Sequence, residues 1–178
     1  MHLTFRSTDV TNATLATPDA HATFRVESHR MSPVSRTSTV HKTYPAADGG
    51  MQVGVLARID WHCRPRPDVL HFDGNAVNSD VLFRNDGFRK RQFTFTGPDG
   101  RPYKWHADPD TVRLDAYDGA TLATGHGAAH GPFGVRDGTL SINPAAYQMI
   151  DTIVMTFVYV EGIIEKRERG GAPPPPVC

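Results

Sequence analysis

The chain has 178 residues, of which 39% are hydrophobic, and nineteen Lys and Arg balance nineteen Asp and Glu to give a formal net charge of +0. This length and composition predict one soluble domain with one core. The charge balance excludes a globally basic nucleic-acid-binding protein and a globally acidic tail protein, so any charged partner must be met by a local patch.

Short runs of Thr, Val, Phe and Tyr, separated by Gly and Pro, dominate the chain before residue 143 and predict an all-β domain. Alternation supports this prediction, because Phe93 and Phe95 share one face of a strand while polar residues occupy the other. Turn signals such as Asp118-Gly119 separate the runs. About twelve strands at this spacing are typical of a sandwich or barrel. The predicted strands cover residues 3–6, 13–17, 22–28, 37–43, 52–62, 69–72, 81–84, 91–96, 102–106, 111–117, 121–126 and 139–142.

The last apolar segment predicts a helix over about residues 144–168. Asn143 is a suitable N-cap and Pro144 suits the first helical position. Cations in the last turn before Gly170 favour a helix end there. The Ile, Val, Thr, Phe and Tyr content favours strands instead, and the alternative is two strands joined near Asp151. The length decides for a helix, and a helix so apolar on most faces must be buried.

The termini and the cysteines indicate the compartment. No apolar core of a signal peptide follows Met1, and the stretch Ile150–Ile164 falls short of the roughly 18 nearly uncharged residues of a transmembrane helix. We therefore expect a cytoplasmic protein without a transmembrane segment. Cys63 and Cys178 are too few for a disulfide scaffold, and a bridge between them is not expected. Residues 1–169 are predicted to form one domain, and residues 170–178 a disordered Pro-rich tail.

A resemblance to a known family lies in the C-terminal half of the chain. It is carried by a Gly-Arg-x-Tyr-x-Trp strand, a Leu…Ala hairpin and a final hydrophobic segment that begins with an Asp. These motifs occupy Phe93–Phe95, Asp99–Trp105, Val112–Leu114, Thr121–Ala123, Gly138–Ile142 and Met149–Phe157. They resemble a family of fungal proteins of unknown function, related in fold to the tubby C-terminal, phospholipid scramblase and LURP-one domains. Residues 1–80 match this family only in being a run of strands.

The resemblance implies a closed barrel of about twelve antiparallel strands around a buried hydrophobic C-terminal helix. An apolar helix after an all-β segment needs such a shell, and a barrel is a shell without edges. The expected structural residues are in the core, on one face of a strand, or at the helix start, where a carboxylate faces the positive end of the helix dipole. They are Ile153, Val154 and Phe157 in the core, Tyr103 and Trp105 on one strand, and Asp151 at the helix start.

No standard catalytic signature appears, so neither a catalytic residue nor a cofactor is predicted. The sequence His126-Gly127-Ala128-Ala129-His130 could bring two imidazoles onto one metal ion. Its glycine leaves the geometry unfixed, and two ligands leave a metal site incomplete. The alternatives are loop histidines without a metal and a metal-dependent or small-molecule activity of His126 and His130 at the mouth of the barrel.

The densest cationic cluster lies on a predicted hairpin at residues 84–91. It contains Arg84, Phe88, Arg89, Lys90 and Arg91. Anionic lipid headgroups would attract each cation by about 1 kcal/mol, and Phe88 would supply an apolar contact. Tubby-like domains include phosphoinositide binders, so the resemblance implies the same ligand class. The alternative is a solvated loop whose cations prevent edge aggregation.

Two further cations, Arg101 and Lys104, join this cluster if the following hairpin folds back. The resulting hypothesis is a non-enzymatic binding module that contacts anionic phospholipid or a protein partner, in the cytoplasm or peripherally at a membrane. A scaffolding role through the proline tail is a further alternative.

Overall fold

The computed structural model describes residues 1–20, 23–32, 35–47, 49–63, 65–86, 91–108, 111–131 and 134–169. Within them the chain forms fifteen strands and two α-helices. The helices are α1 (Ser79–Leu82) and α2 (Ile150–Arg169). The strands are β1 (His2–Phe5), β2 (Thr14–Ala16), β3 (Thr23–Ser32), β4 (Ser35–Pro45), β5 (Met51–His62), β6 (Val69–Phe72), β7 (Asn75–Asn78), β8 (Arg84–Asp86), β9 (Gln92–Thr96), β10 (Pro102–Ala107), β11 (Val112–Ala116), β12 (Thr121–His126), β13 (Ala129–Gly131), β14 (Gly134–Arg136) and β15 (Gly138–Ile142).

Among the described residues, thirteen strands form one antiparallel sheet in the order β7-β6-β5-β4-β3-β2-β1-β15-β12-β11-β10-β9-β8. Strands β13 and β14 form a separate hairpin. The two halves of the chain meet at the β1–β15 pair, where His2 lies opposite Ser141. The prediction of a mainly β domain with a C-terminal helix is confirmed.

The expected closed barrel is not confirmed, because the two outermost strands, β7 and β8, do not pair with each other. The five residues between them contain the single helical turn α1, which connects the two sheet edges without a strand ladder between them. Phe83 follows α1 and packs edge-on against Phe93 and Phe95, with ring centroids 6.1 and 5.9 Å away. The sheet therefore curls around the core but keeps an opening beside β7, which we call the seam.

Helix α2 runs through the space that the sheet encloses. Residues 152–162 are all buried, and Ile153, Val154 and Phe157 are completely inaccessible to solvent. The Phe157 ring lies 6.2 Å from Phe5 on β1 and 6.0 Å from Trp105 on β10. Burial on every side thus overrides the strand propensity of the β-branched residues.

The start of this helix follows the predicted signals. The Asn143 Oδ1 accepts a hydrogen bond from the Ala145 N–H at 3.0 Å, and Pro144–Met149 form a 3-10 helix that leads into α2. The segment Pro144–Arg167 is long and apolar enough to cross a membrane by length and composition alone. However, 67% of its apolar window is buried inside the structure, as in the core helix of a folded domain.

Asp151 lies in the first turn of α2, and its partner is Lys42 on β4. The Lys42 Nζ donates to both carboxylate oxygens, at 2.7 and 2.8 Å. Both side chains are about one-third exposed, so the pair adds little stability. Its effect is to fix the N-terminal end of α2 against one wall of the sheet, where the helix dipole also favours a carboxylate.

Strands β9 and β10 show how the sheet wall meets the helix. Phe93 lies opposite Trp105, and Phe95 lies opposite Tyr103, so that all four rings face inward. The buried Trp105 Nε1–H donates to the Thr156 Oγ1 at 3.0 Å. That hydroxyl in turn donates to the Thr152 carbonyl at 2.7 Å, so the buried indole N–H and the buried hydroxyl both have partners.

The cysteine prediction differs from the structure. Cys63, which the sequence predicts to be unpaired, is disulfide-bonded. The other cysteine, Cys178, and the predicted Pro-rich tail at 170–178 lie outside the described residues.

Replacing Thr156 by Val keeps the side-chain volume and removes the hydroxyl. The Trp105 N–H then lies buried without its acceptor, which costs about 1–3 kcal/mol. We expect the free energy of unfolding, measured by urea denaturation, to fall by about that amount. Thr124→Val on the solvent-facing side of β12 is the matched control, with a change of about 0.5 kcal/mol or less. Equal values for the two variants would contradict a stabilising role of the hydroxyl.

Candidate functional site

The predicted cationic cluster is only partly described. Arg84 lies exposed on β8, and Arg91 lies half-buried just before β9, with its carbonyl accepting from the Ala107 N–H at 2.8 Å. Phe88, Arg89 and Lys90 lie outside the described residues. Asp86, the last residue of β8, lies opposite Gln92, so this end of the β8–β9 pair is the one where α2 finishes.

The structure does not bring Arg101 to this cluster. In the register of β9 and β10, Arg101 lies beside Gly97 and Arg91 lies beside Ala107. Six residues of strand separate these positions, or roughly 20 Å at 3.3 Å per residue. Arg101 therefore lies at the end where α2 begins, and its Nε is 3.7 Å from the Asp99 carboxylate.

Lys104 lies between the two ends, on the outer wall of the sheet. It is opposite Thr94, which is in turn opposite Arg84 on the neighbouring strand. The Thr94 hydroxyl is buried and has no hydrogen-bond partner. Lys104 also faces Asp115 across the β10–β11 pair, so its charge is partly offset. Arg84 and Lys104 form a row along the wall that is separate from either end.

A larger group of cations surrounds the end where α2 finishes, and we call it the cationic end. Its members come from strand ends and connections that are far apart in sequence, so sequence spacing gives no sign of it. The only signal is the alternating direction of consecutive strands, which places every second connection at this end. The described members are Arg6, Arg30, Arg36, Arg66, Arg91, Arg136, Lys166 and Arg167.

Two of these cations face each other directly. Arg30 and Arg36 are paired across β3 and β4, a like-charge arrangement that is unfavourable without a counter-charge. The Arg36 guanidinium lies 5.3 Å from the Trp61 ring centroid, over the mouth of the enclosed core. Burial of the nearby Asp9 opposes its ionisation, but hydrogen bonds within its own turn and the charge of Arg36 outweigh burial and lower its pKa.

The acidic residues are distributed in the opposite way. Exposed carboxylates at the end where α2 begins belong to Asp19, Asp73, Asp99 and Asp118. The two described basic side chains at that end, Lys42 and Arg101, are each beside an aspartate. At the cationic end the described carboxylates are the exposed Asp108 and Asp137, the half-buried Asp9 and Glu165, and the buried Asp68 and Glu161, six against eight cations. Of these, Asp137 is 3.5 Å from Arg6. A chain of net charge +0 is therefore polarised along the axis of α2.

A polar cluster on the outer wall was not found by sequence reasoning. The Asp60 carboxylate accepts from the Thr37 hydroxyl at 2.8 Å, lies 2.8 Å from His71 Nε2, and accepts from the Arg58 guanidinium at 3.3 Å. Partial burial opposes ionisation of Asp60, but these partners outweigh it and lower its pKa. The four side chains satisfy one another, so the cluster serves to join β4, β5 and β6.

The predicted histidine pair is only partly described. The exposed His126 lies at the end of β12, with its Nδ1 3.3 Å from the Thr111 hydroxyl. The side chain of His130 lies outside the described residues. Within the described part of the chain, no three His, Cys, Asp or Glu side chains are placed to hold a metal ion.

A second cluster that sequence reasoning missed is buried beside the seam. The Asp68 carboxylate accepts from the His62 N–H at 2.7 Å and from the Tyr159 hydroxyl at 3.3 Å. The Asp68 carbonyl accepts from the Ser79 N–H at 2.8 Å, at the start of α1. Burial raises the pKa of Asp68 despite these hydrogen bonds. Burial also raises the pKa of Tyr159.

The Tyr159 ring connects this cluster to both sides of the seam. It stacks between Trp61 and Phe83, with centroids 5.4 and 4.9 Å away. The ring and its hydroxyl thus attach α1 and Phe83 to the central helix. In place of a strand pair, this contact holds the two sheet edges in position.

Comparison with known proteins places the chain in a family. The model of a family of unknown function, DUF6593, matches residues 8–166. The chain belongs to the DUF6593 family. No curated protein and no solved structure matches it. The DUF6593 match includes β2–β7, where the sequence resemblance was weakest, and it extends through most of α2.

The Asp68 cluster predicts a pH dependence for this DUF6593 domain. The folded state keeps the proton of Asp68 to a higher pH than the unfolded chain, whose carboxyl titrates near its ordinary value of 3.8. Stability relative to an Asp68→Asn variant should therefore decrease as pH rises from about 3.8 through the raised pKa, and then stay level. Urea denaturation of both proteins across this range measures the difference.

Asp80→Asn is the matched control, because Asp80 is an exposed carboxylate on α1, close to the same cluster. Its stability difference from the unmodified protein should not follow the same pH course. A constant difference between Asp68→Asn and the unmodified protein at every pH would contradict the raised pKa.

Proposed function

We propose that this DUF6593 chain is a non-enzymatic binding module that docks its cationic end on an anionic membrane surface. The observation that carries the proposal is the axial separation of charge in a chain of net charge +0. A flat anionic surface can contact all the cations of one end simultaneously. If the same cations were spread around the walls of the sheet, only those on one side could contact the surface.

The magnitudes favour a surface over a single anion. Each cation near an anionic membrane contributes about 1 kcal/mol, and this attraction decays over about 8–10 Å at physiological salt. Arg101, roughly 20 Å away along the sheet, lies beyond this range. Of the residues first predicted, Arg91 therefore belongs to the proposed contact, together with Phe88, Arg89 and Lys90, which precede it in the sequence. Arg84 and Lys104 lie on the adjoining wall.

The pairing of Arg30 with Arg36 fits the same function. Asp9 offsets part of the Arg36 charge, and the exposed Arg30 adds a cation that an anionic lipid phosphate would attract. The curled sheet around a hydrophobic C-terminal helix also supports kinship with tubby C-terminal, scramblase and LURP-one domains. A cytoplasmic, peripheral membrane location follows from the proposal.

The test is co-sedimentation with phosphatidylcholine vesicles that contain or lack phosphatidylserine. The variant is Arg30→Gln, Arg66→Gln and Arg136→Gln together, since none of these forms an ion pair within the described structure. Loss of three cations at about 1 kcal/mol each predicts about 100-fold weaker binding to phosphatidylserine vesicles. Binding of the unmodified protein should also weaken as salt rises.

Arg101→Gln is the matched control, because it removes the same charge from the opposite end. It should leave vesicle binding within about twofold of the unmodified protein. Equal binding to neutral vesicles, or an equal loss per charge in Arg101→Gln, would contradict the proposal. Failure to bind either vesicle would also overturn the membrane assignment, and an anionic protein would then be the expected partner of the cationic end.

A further inference from the structure

The seam opens into a cleft that reaches the central helix. Its volume is about 280 Å³. It lies between β7 on one side and the second half of β9 on the other, beyond the point where β8 stops pairing with β9 at Arg84 and Thr94. Most of its lining is apolar, including Leu70, Phe72, Val77, Leu82, Phe95 and Met155.

The floor of the cleft offers few free polar groups to a ligand. It is formed by Thr152, Met155 and Thr156 of α2. The Thr156 hydroxyl already accepts from Trp105 and donates to the Thr152 carbonyl. The Thr152 hydroxyl is the remaining side-chain polar group of the floor, so a ligand polar group placed there would gain at most one partner for the water it loses. The inner part of a ligand is therefore expected to be apolar.

The mouth of the cleft carries one charge. Asp73 lines the cleft from the β6–β7 turn, where Asp73 and Gly74 have φ of 52° and 73°. This Asp-Gly turn is the tight hairpin type that needs two positive φ values, and it holds the carboxylate at the rim. Within the described part of the chain, Asp73 forms no ion pair. The surrounding end of the structure is acidic, and the basic side chains described there, Lys42 and Arg101, are already beside other aspartates.

We infer that the cleft binds a single-chain alkyl ligand whose polar end is a cation, such as an alkylammonium. The apolar floor selects the chain, and Asp73 selects the charge at the rim. At roughly 30 Å³ per water, the volume equals about nine waters. Because a methylene group is of similar size, a chain of about eight carbons fills it. Fatty acids would place a carboxylate beside Asp73 and are disfavoured.

This ligand site is independent of the proposed membrane contact. The cleft lies in the half of the seam nearer the start of α2, and the cationic end lies at the other end of the helix. Either proposal can therefore fail without the other.

Octylammonium, octanol and octanoate share one chain and differ in charge, so they are the probes. Binding to the full chain is followed by the NMR shifts of the Gly74 and Gly97 amides, which flank the mouth. Octylammonium should bind at least about threefold more tightly than octanol, and octanoate more weakly than both. Asp73→Asn should remove the advantage of octylammonium over octanol and leave octanol binding unchanged.

A second variant fills the cleft. Val77 faces the cleft from the edge strand β7, and Val77→Trp should abolish binding of all three probes. Val81→Trp is the matched control, because Val81 lies on α1 with 76% of its surface exposed, and it should leave binding intact. Equal affinity for octylammonium and octanol, tighter binding of octanoate, or undiminished binding to Val77→Trp would each overturn the inference.

Discussion

The burial of α2 is the constraint on which the rest of the structure depends. Its residues from 152 to 162 are inaccessible or nearly so on every side. A helix satisfies its own backbone hydrogen bonds, so it can be enclosed by strands without leaving unpaired groups. Each fully buried large side chain contributes about 1.5–3 kcal/mol. If the sheet covered only one face of α2, the side chains on its other face would not make this contribution. The sheet must therefore curl around α2 instead of lying flat on one side of it.

Three polar contacts fix how α2 lies inside this sheet. The Asp151–Lys42 pair holds its beginning against β4, the Thr156–Trp105 hydrogen bond holds its middle against β10, and Tyr159 ties it to the strand edge beside α1. Apolar packing alone tolerates small rotations of a helix. The two buried hydrogen bonds, those of Thr156 and Tyr159, penalise such rotations, because a buried group that loses its partner is costly. These contacts give an otherwise uniform apolar helix one orientation.

Much of the fold could be predicted from sequence because it rests on local signals. The alternation around Phe93 and Phe95 gave strands, and Asn143 with Pro144 gave the helix start. Closure of the sheet could not be predicted, since residues 81–84 resemble a strand while Val81 and Leu82 belong to α1. That choice depends on how Phe83 and Tyr159 pack, which is a contact between distant parts of the chain.

The candidate site was predictable only in part, for a related reason. Sequence proximity grouped Arg101 with Arg91, but an antiparallel pair carries consecutive connections to opposite ends of the sheet. Arg30, Arg66 and Arg136 are far apart in sequence and reach the same end because alternate connections lie there. Such a grouping follows from strand order and register, which no short motif encodes.

The position of the seam determines where the curled sheet can open locally. Strands β7 and β8 are neighbours in sequence, whereas the pair at the centre of the sheet joins residues 139 positions apart. Parting the edges beside α1 breaks no strand ladder, and the short link between β7 and β8 limits how far they separate. The central helix can thus be reached through a local, low-energy opening while the rest of the sheet stays closed. Amide hydrogen exchange is therefore expected to be faster in α1 and β7, at the edge of the described sheet, than in the β1–β15 pair at its centre.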